Sequence, residues 1–217
     1  MAIALYDLTA RLEADVAAVD SVPSADQYER AVRAAVADYS RRKPMGKLAE
    51  LSIVSGTATY DLPDDFLRVI TLESLWSPDN VLVSDSGLVP LSATYEERHY
   101  IVNGEITLDP EPTYTTTRDL WYAAAYVLDA SEEYDELDEE GAGIVLLKAQ
   151  AIALGYQANA MASDILSYQV GDVRIEKGKT VEALRKAAQA LEEEYLGRIA
   201  AAIGAVGMRA SYNWAGR

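Results

Sequence analysis

Few residues of this chain could support catalysis or metal binding. The 217 residues include one histidine, His99, and no cysteine. A Ser-His-Asp site would therefore depend on His99 alone, and multi-histidine or cysteine-ligated metal sites cannot be assembled. His99 begins a predicted strand without a G-x-S-x-G nucleophile motif elsewhere. We expect His99 to be an ordinary strand residue, and we expect no catalytic, cofactor-binding or metal-binding residues.

Two other patterns resemble functional motifs but are better explained by local structure. Gly178-Lys179-Thr180 resembles the end of a phosphate-binding loop, yet Val173 stands where the first glycine should be. This segment instead predicts a helix start capped by Thr180. The acidic run at 129–140 lacks the alternating pattern of a calcium loop, so we interpret it as a solvated charged loop.

The charge of the chain is strongly negative and unevenly distributed. Asp and Glu number 35 against 19 Lys and Arg, a formal net charge of -16. Such a charge opposes binding to phosphate backbones and anionic membranes. No acid follows Glu194, whereas Arg198, Arg209 and Arg217 do. The C-terminal segment could therefore dock on an acidic surface.

Neither an export signal nor a membrane span is expected. The first 20 residues contain Asp7, Arg11, Glu13 and Asp15, which interrupt any signal-like apolar stretch. The longest apolar run, 144–161, includes Lys148 and is too polar for a membrane span. We expect no membrane partner.

Apolar spacing predicts two N-terminal helices. Leucine and valine recur every three or four residues from Leu5 to Val19, which predicts a first helix ending near Pro23. Ser24 and Gln27 form a capping-box pattern that opens a second helix. That helix should end in the basic cluster before Pro44.

The middle of the chain has the composition of antiparallel strands. Short β-branched and aromatic runs alternate with Pro, Gly, Asn and Asp from residue 47 to about 128. Predicted strands cover 50–54, 57–62, 67–76, 81–84, 99–102, 105–108 and 119–127. Asn103-Gly104 predicts a type I′ hairpin.

Helical periodicity returns toward the C-terminus. Residues from Ile144 to Ile165 follow a 3-4 alternation, and a last helix should present Val181, Leu184, Ala188, Leu191 and Tyr195 inward. The predicted fold is α+β: a helical bundle of two N-terminal and two long C-terminal helices with an inserted antiparallel β domain and an extended C-terminal arm. The predicted domains are the bundle, 1–46 and 129–204, the β insert, 47–128, and the arm, 205–217.

Four stretches give the sequence a family resemblance. They are ADYS at 37–40 before a basic break, YDLPDDF at 60–66, ITLDPEP at 106–112 before LWYAA at 120–124, and GDVRIEK at 171–177. With their order, the chain resembles the head-tail connector (adaptor) proteins of tailed bacteriophages. The acidic loop and the large β insert depart from the mostly helical connectors.

The resemblance implies a structural virion protein without enzymatic activity, assembled in the host cytoplasm. It implies a homo-oligomeric ring of twelve copies, matching the portal, that joins the portal protein to a tail or further connector protein. DNA would pass through the lumen without specific binding. The alternatives are a non-viral helical interaction or chaperone-like adaptor, and, ranked last, an enzyme using carboxylates of the β domain.

Two groups of residues are singled out. Connectors of this kind dock on the portal through C-terminal segments, so the predicted portal-binding residues are Met208, Arg209, Tyr212, Trp214 and Arg217. Tyr, Trp and Arg are frequent anchors of protein interfaces. A structural turn is predicted at Tyr60, Leu62, Pro63 and Phe66, where Pro63 presets the backbone and Leu62 and Phe66 face inward.

Overall fold

The structure, a computed structural model, describes residues 3–72, 83–84, 87–88, 98–129, 131–134, 136–164 and 177–212. Their order is β1 (Ile3–Ala4), α1 (Leu5–Asp15), α2 (Ala25–Arg42), β2 (Met45–Ile53), β3 (Thr59–Asp61), β4 (Phe66–Leu72), β5 (Val83–Ser84), β6 (Gly87–Leu88), β7 (Arg98–Val102), β8 (Glu105–Asp109), β9 (Thr116–Ala124), β10 (Glu133–Tyr134), α3 (Glu139–Asp164) and α4 (Lys177–Tyr212). The mixed α+β class predicted from the sequence is confirmed. The chain divides into a helical unit, Met1–Pro44 with Tyr126–Arg217, and a β unit, Met45–Ala125.

Helix α2 forms as its sequence pattern predicts. The backbone N–H of Ser24 donates to Oε1 of Gln27 at 2.8 Å, the bond that closes a capping box. Val32 and Tyr39, which lie two turns apart on one face of the helix, are completely buried. Arg41 and Arg42 occupy the last turn, where cations offset the negative end of the helix dipole.

Helix α1 is shorter than predicted, because it ends at Asp15 and not near Pro23. Val19 is exposed and pairs with Val22 in a tight bridge instead of continuing the helical face. The buried amide of Gln157, from α3, donates to the carbonyl oxygens of Ala17 and Val22 at 2.7 and 3.2 Å. A distant side chain thus satisfies carbonyl groups of the segment that follows α1.

The two long helices pack on each other along the predicted faces. On α3, Ile144, Ala151 and Ala158 are buried, and Leu147, Leu154 and Met161 are half-buried; Ile165 lies outside the described residues. On α4, Val181 and Tyr195 are buried, with Leu184, Ala188 and Leu191 half-buried. The alanines allow close approach of the helix backbones.

Both ends of α4 differ from the prediction. The helix begins at Lys177, so Thr180 lies inside the first turn and does not cap it. The helix also continues to Tyr212, so the expected extended arm is wrong for residues 205–212, whose backbone is helical. Alanine, methionine and arginine favour helix, and extending an existing helix needs no new nucleation. Residues 213–217 lie outside the described part of the chain.

The described residues of the β unit form two three-stranded antiparallel sheets and a short pair, β5 with β6. Strand β9 is central in one sheet, between β2 and β4, and β8 is central in the other, between β3 and β7. The predicted hairpin is confirmed: β7 and β8 pair, and Asn103 and Gly104 have φ of 53° and 83°. The last part of the strand predicted at 67–76 lies beyond the described residues, which end at Leu72 before the next gap.

The acidic stretch 129–140 is more ordered than a solvated loop. Tyr134 and Leu137 are buried in the core of the helical unit. The Asp129 carboxylate accepts hydrogen bonds from the backbone N–H groups of Ser131 and Glu133 at 2.8 and 2.9 Å. Since the two apolar side chains anchor the segment, carboxylates such as those of Asp129 and Glu136 are held on the surface.

Candidate functional surfaces

A polar network joins α2 to α4 inside the helical unit. The Tyr195 hydroxyl, on a fully buried side chain, donates to Oδ2 of Asp38 at 2.8 Å. Arg42 Nε donates to the same oxygen at 2.8 Å. The α4 tyrosine is thereby tied to an ion pair on α2, which fixes the rotation of α4 about its axis.

A second ion pair joins α3 to α4 beside the first. Lys148 Nζ lies 2.6 Å from both carboxylate oxygens of Glu192. Lys148 and Arg42 also lie 5.7 and 6.0 Å from the centre of the Tyr195 ring, within the range of cation-π attraction. Tyr195 is therefore the residue at which α2, α3 and α4 meet.

Burial and hydrogen bonding shift the ionisation of this network. Burial alone would raise the pKa of Asp38, but the hydrogen bonds from Arg42 and Tyr195 outweigh it and the pKa lies below its ordinary value. Burial, followed by the hydrogen bond to Asp38, raises the pKa of Tyr195. Nearby, burial raises the pKa of Tyr39 and of Tyr126, whose rings are 5.4 Å apart, to about 12.

The raised pKa values of these tyrosines predict a loss of stability at alkaline pH. Because their pKa values are raised by folding, their contribution is complete below about pH 10 and declines as pH rises toward the folded values. In the pH range where such a tyrosine is protonated in the folded state and ionised in the unfolded state, the free energy of unfolding should fall with pH. Each tyrosine should contribute at most about 1.4 kcal/mol per pH unit to this fall. Urea unfolding at a series of pH values measures this slope. The Tyr195→Phe variant should show a shallower slope, and an identical slope would contradict the assignment.

The predicted structural turn of the β unit is held by several contacts. Phe66 N–H donates to the Pro63 carbonyl at 2.9 Å, and the Phe66 ring lies 5.8 Å from the Tyr122 ring in a stacked orientation. Leu62 is buried, and its N–H donates to the Gly104 carbonyl at 2.9 Å. The Tyr60 hydroxyl donates to the Thr57 carbonyl at 2.5 Å and accepts from Val54 N–H at 3.1 Å. The four predicted residues thus connect the turn to two neighbouring loops and to β9.

Asp65, in the same turn, makes contacts that local sequence does not reveal. Its carboxylate accepts hydrogen bonds from Lys47 Nζ at 2.9 Å and from the Tyr122 hydroxyl at 3.0 Å. These partners lie on β2 and β9, so the carboxylate is a structural bridge within the β unit. Because both carboxylate oxygens of Asp65 already accept hydrogen bonds from these partners, a catalytic role for Asp65 would require breaking structural contacts.

The predicted portal-binding residues lie at the end of α4 and beyond it. Met208, Arg209 and Tyr212 are on the helix, within slightly more than one turn of each other, and Trp214 and Arg217 lie outside the described residues. The last α4 side chain described as buried is Ile199. Between Ile199 and Tyr212 the helix extends about 20 Å, at 1.5 Å per residue.

Three further kinds of functional feature concern the described residues: a catalytic histidine, a metal-binding cluster and a membrane-spanning helix. His99 is an exposed residue of β7, as predicted. Within the described ranges there is no cluster of three or more His, Cys, Asp or Glu that could hold a metal ion. Nor does any described helix have the length and apolarity needed to cross a membrane.

The described part of the chain combines a helical unit, a β unit inserted in sequence between two of its helices, and a long C-terminal helix. The chain matches the family model described as SU10 adaptor protein over residues 3–210. The chain belongs to this family of bacteriophage adaptors, which are structural virion components and not enzymes. No curated protein matches the chain significantly. The family match decides against the non-viral adaptor and against the carboxylate enzyme.

Proposed function

We propose that the protein forms a homo-oligomeric ring of twelve copies that joins the portal protein to a tail or further connector protein. The observation that carries the proposal is the family match, which covers nearly the whole chain. The ring would surround the channel through which DNA leaves the head. Both the bundle and the β insert would then belong to one repeated subunit.

The charge of the chain supports a channel role. A net charge of -16 repels the phosphate backbone, so DNA could slide past the ring without being held. The carboxylates of Asp129 and Glu139 are on the surface of the helical unit, and Glu139 pairs with Arg11 at 2.8 Å. We propose that acidic residues of this segment or of the β unit face the lumen.

Portal attachment is proposed for the C-terminal segment. Met208, Arg209, Tyr212, Trp214 and Arg217 combine large side chains with cations, and no acid occurs among them. Such residues suit clefts between subunits of a partner that supplies acidic groups. The helix beyond Ile199 would present part of this segment to the portal.

Ring formation and DNA binding can be tested with the purified full-length chain. Mass photometry and negative-stain microscopy, alone and with purified portal, should show a ring of one defined size. Duplex DNA should not bind at physiological salt, because like charges repel. A subunit that stays monomeric or dimeric even with portal would contradict the ring, and tight salt-sensitive DNA binding would contradict the lumen.

A further inference from the structure

The sheet of β3, β8 and β7 has two open edges. Strand β8 is central, and among the described strands none pairs with β3 or β7 on the side away from β8. All five residues of β7 are exposed, and the exposed fractions of Tyr100, Ile101 and Val102 are 50%, 42% and 59%. An edge strand with large apolar side chains and no proline, lysine or bulge favours pairing with a further strand.

Backbone hydrogen bonds show which groups face the β7 edge. Leu108, the partner of His99 on β8, donates its N–H to the carbonyl oxygen of Ala58 at 2.8 Å, on the β3 side. The pair of Leu108 with His99 is therefore one without hydrogen bonds, and such pairs alternate with hydrogen-bonded pairs. The N–H and C=O of His99, and those of Ile101 two residues later, point to the open edge.

The β3 edge is arranged in the same way. Ala58 and Leu62, which flank β3, direct their backbone hydrogen bonds toward the β8 hairpin, at 2.8 and 2.9 Å. By alternation the backbone groups of Tyr60 also face β8, whereas those of Thr59 and Asp61 face the open edge. Each edge thus offers the backbone groups of two residues to another strand.

The apolar face of this sheet extends to both edges. Ile106 of β8 is fully buried in the core of the β unit, and its direct partners are Tyr60 on β3 and Ile101 on β7. Directly paired residues share one face of a sheet. Since Ile101 is exposed beside the buried Ile106, this apolar face extends beyond its covered part.

The other face of the sheet carries negative charge at the β3 edge. Asp61 pairs directly with Glu105 of β8, and both side chains are exposed. Within the described residues neither carboxylate forms an ion pair. Two carboxylates directly opposite each other destabilise a sheet, so a cation brought to this edge from outside would stabilise it. Arg98 lies on the same face at the β7 edge.

We propose that β7 of each copy pairs with β3 of the next copy around the ring, an inference that rests on the ring proposed above. Both strands are antiparallel to β8 and therefore parallel to each other. Neighbours in a twelve-membered ring differ by a rotation of only about 30°, so the pairing between copies is also parallel.

One register of this pairing matches both faces. With His99 beside Tyr60 of the next copy, the apolar faces are continuous. On the other face, Arg98 then lies diagonally across from Asp61 of the next copy. Arg98 already has an interaction within its own chain, but its guanidinium has five N–H donors and can serve a second carboxylate.

A second copy is the occupant because the two edges differ and are complementary in charge. The β7 edge brings a cation, and the β3 edge brings two carboxylates. A contact between two different patches of one chain repeats from copy to copy, and it closes a ring when the rotation permits. A two-fold contact would instead place like edges together.

Engineered cysteines test this contact, because the chain has none of its own. In the double variant Tyr100→Cys with Asp61→Cys, the two cysteines should lie side by side across the contact. Within one copy β8 separates them by about 10 Å or more, too far for a disulfide. Oxidation of the assembled protein should give a ladder of covalent oligomers that ends at the ring size. Asp61→Cys with Glu182→Cys, at an exposed position of α4, is the control and should give no such ladder.

A proline at position 101 tests the backbone pairing. Because the N–H of Ile101 faces the open edge, Ile101→Pro should leave the β unit folded, as circular dichroism can check. The variant lacks a donor of the contact and should weaken ring assembly about tenfold or more, measured by mass photometry over a range of concentrations. If the variant does not fold, the cysteine pair decides.

The outcomes distinguish the contact from the ring. Rings that form normally from folded Ile101→Pro, or rings of the cysteine variant that give no ladder, would overturn the pairing of β7 with β3 and leave the ring. A ladder without a defined end, with no ring in micrographs, would support the pairing and contradict the ring. Unmodified protein that forms no ring with portal, together with no ladder from the cysteine pair, would contradict both.

Discussion

Replacing Val145 with aspartate should unfold the helical unit. Val145 is fully buried on α3, in the core that also contains Leu8 of α1, Val32 of α2 and Tyr195 of α4. A carboxylate placed there loses its hydration and gains no partner, which should cost several kcal/mol. Because a typical domain is stable by only about 5–15 kcal/mol, most of the stability would be lost.

Thermal melting followed by circular dichroism measures this effect. The helical signal of Val145→Asp should be reduced or should disappear at a much lower temperature. Asn159→Asp, at an exposed position of the same helix, adds a carboxylate without burying it and should change stability by no more than about 0.5 kcal/mol. Equal melting temperatures for the two variants would show that Val145 does not lie in the core.

The helices could be predicted from sequence where local signals were sufficient. In α2 the cap, the apolar face and the terminal cations all lie within 18 residues, so each signal supports the same helix. In α1 the apolar spacing extends to Val19, but the helix ends at Asp15, and Gln157 pairs with the backbone that follows. That pairing joins residues 140 apart in sequence, which local spacing cannot indicate.

The β unit shows the same division between local and distant information. The Asn103-Gly104 turn determines how β7 pairs with β8, and the sequence alone predicts it. The position of β9 between β2 and β4 depends on pairs such as Leu48 with Trp121, 73 residues apart. This register could not be predicted from local sequence, because Glu50 and Asp119 become direct partners only in the folded sheet.

The end of α4 is helical where local periodicity predicts an arm. Glycine at 204 and 207 and the absence of a regular apolar face indicate an extended segment, yet the backbone is helical to Tyr212. A helix that is already long tolerates glycine, because each costs only about 1 kcal/mol. Helical structure at these residues is compatible with the proposed docking role, since Met208 and Tyr212 are four residues apart, about one turn of the helix backbone.

Deleting residues 205–217 should abolish attachment to the portal while leaving the subunit folded. The deletion begins after the last described buried residue of α4, Ile199, so the core is retained. The melting temperature should therefore be nearly unchanged. The lost segment contains Tyr212 and Trp214 with two cations and no acid, so the truncated chain lacks both the apolar and the electrostatic contributions proposed for docking.

Pull-down with purified portal, or occupancy on portal-containing capsids, measures the result. A full-length variant with Arg209→Glu and Arg217→Glu should lose most of the binding, because repulsion replaces attraction to an acidic surface. Arg185→Glu, at an exposed position of α4, is the matched control and should bind normally. Unchanged portal occupancy of the truncated chain would contradict the docking role of residues 205–217. Attachment would then have to be sought in the part of α4 from Thr180 to Ile203.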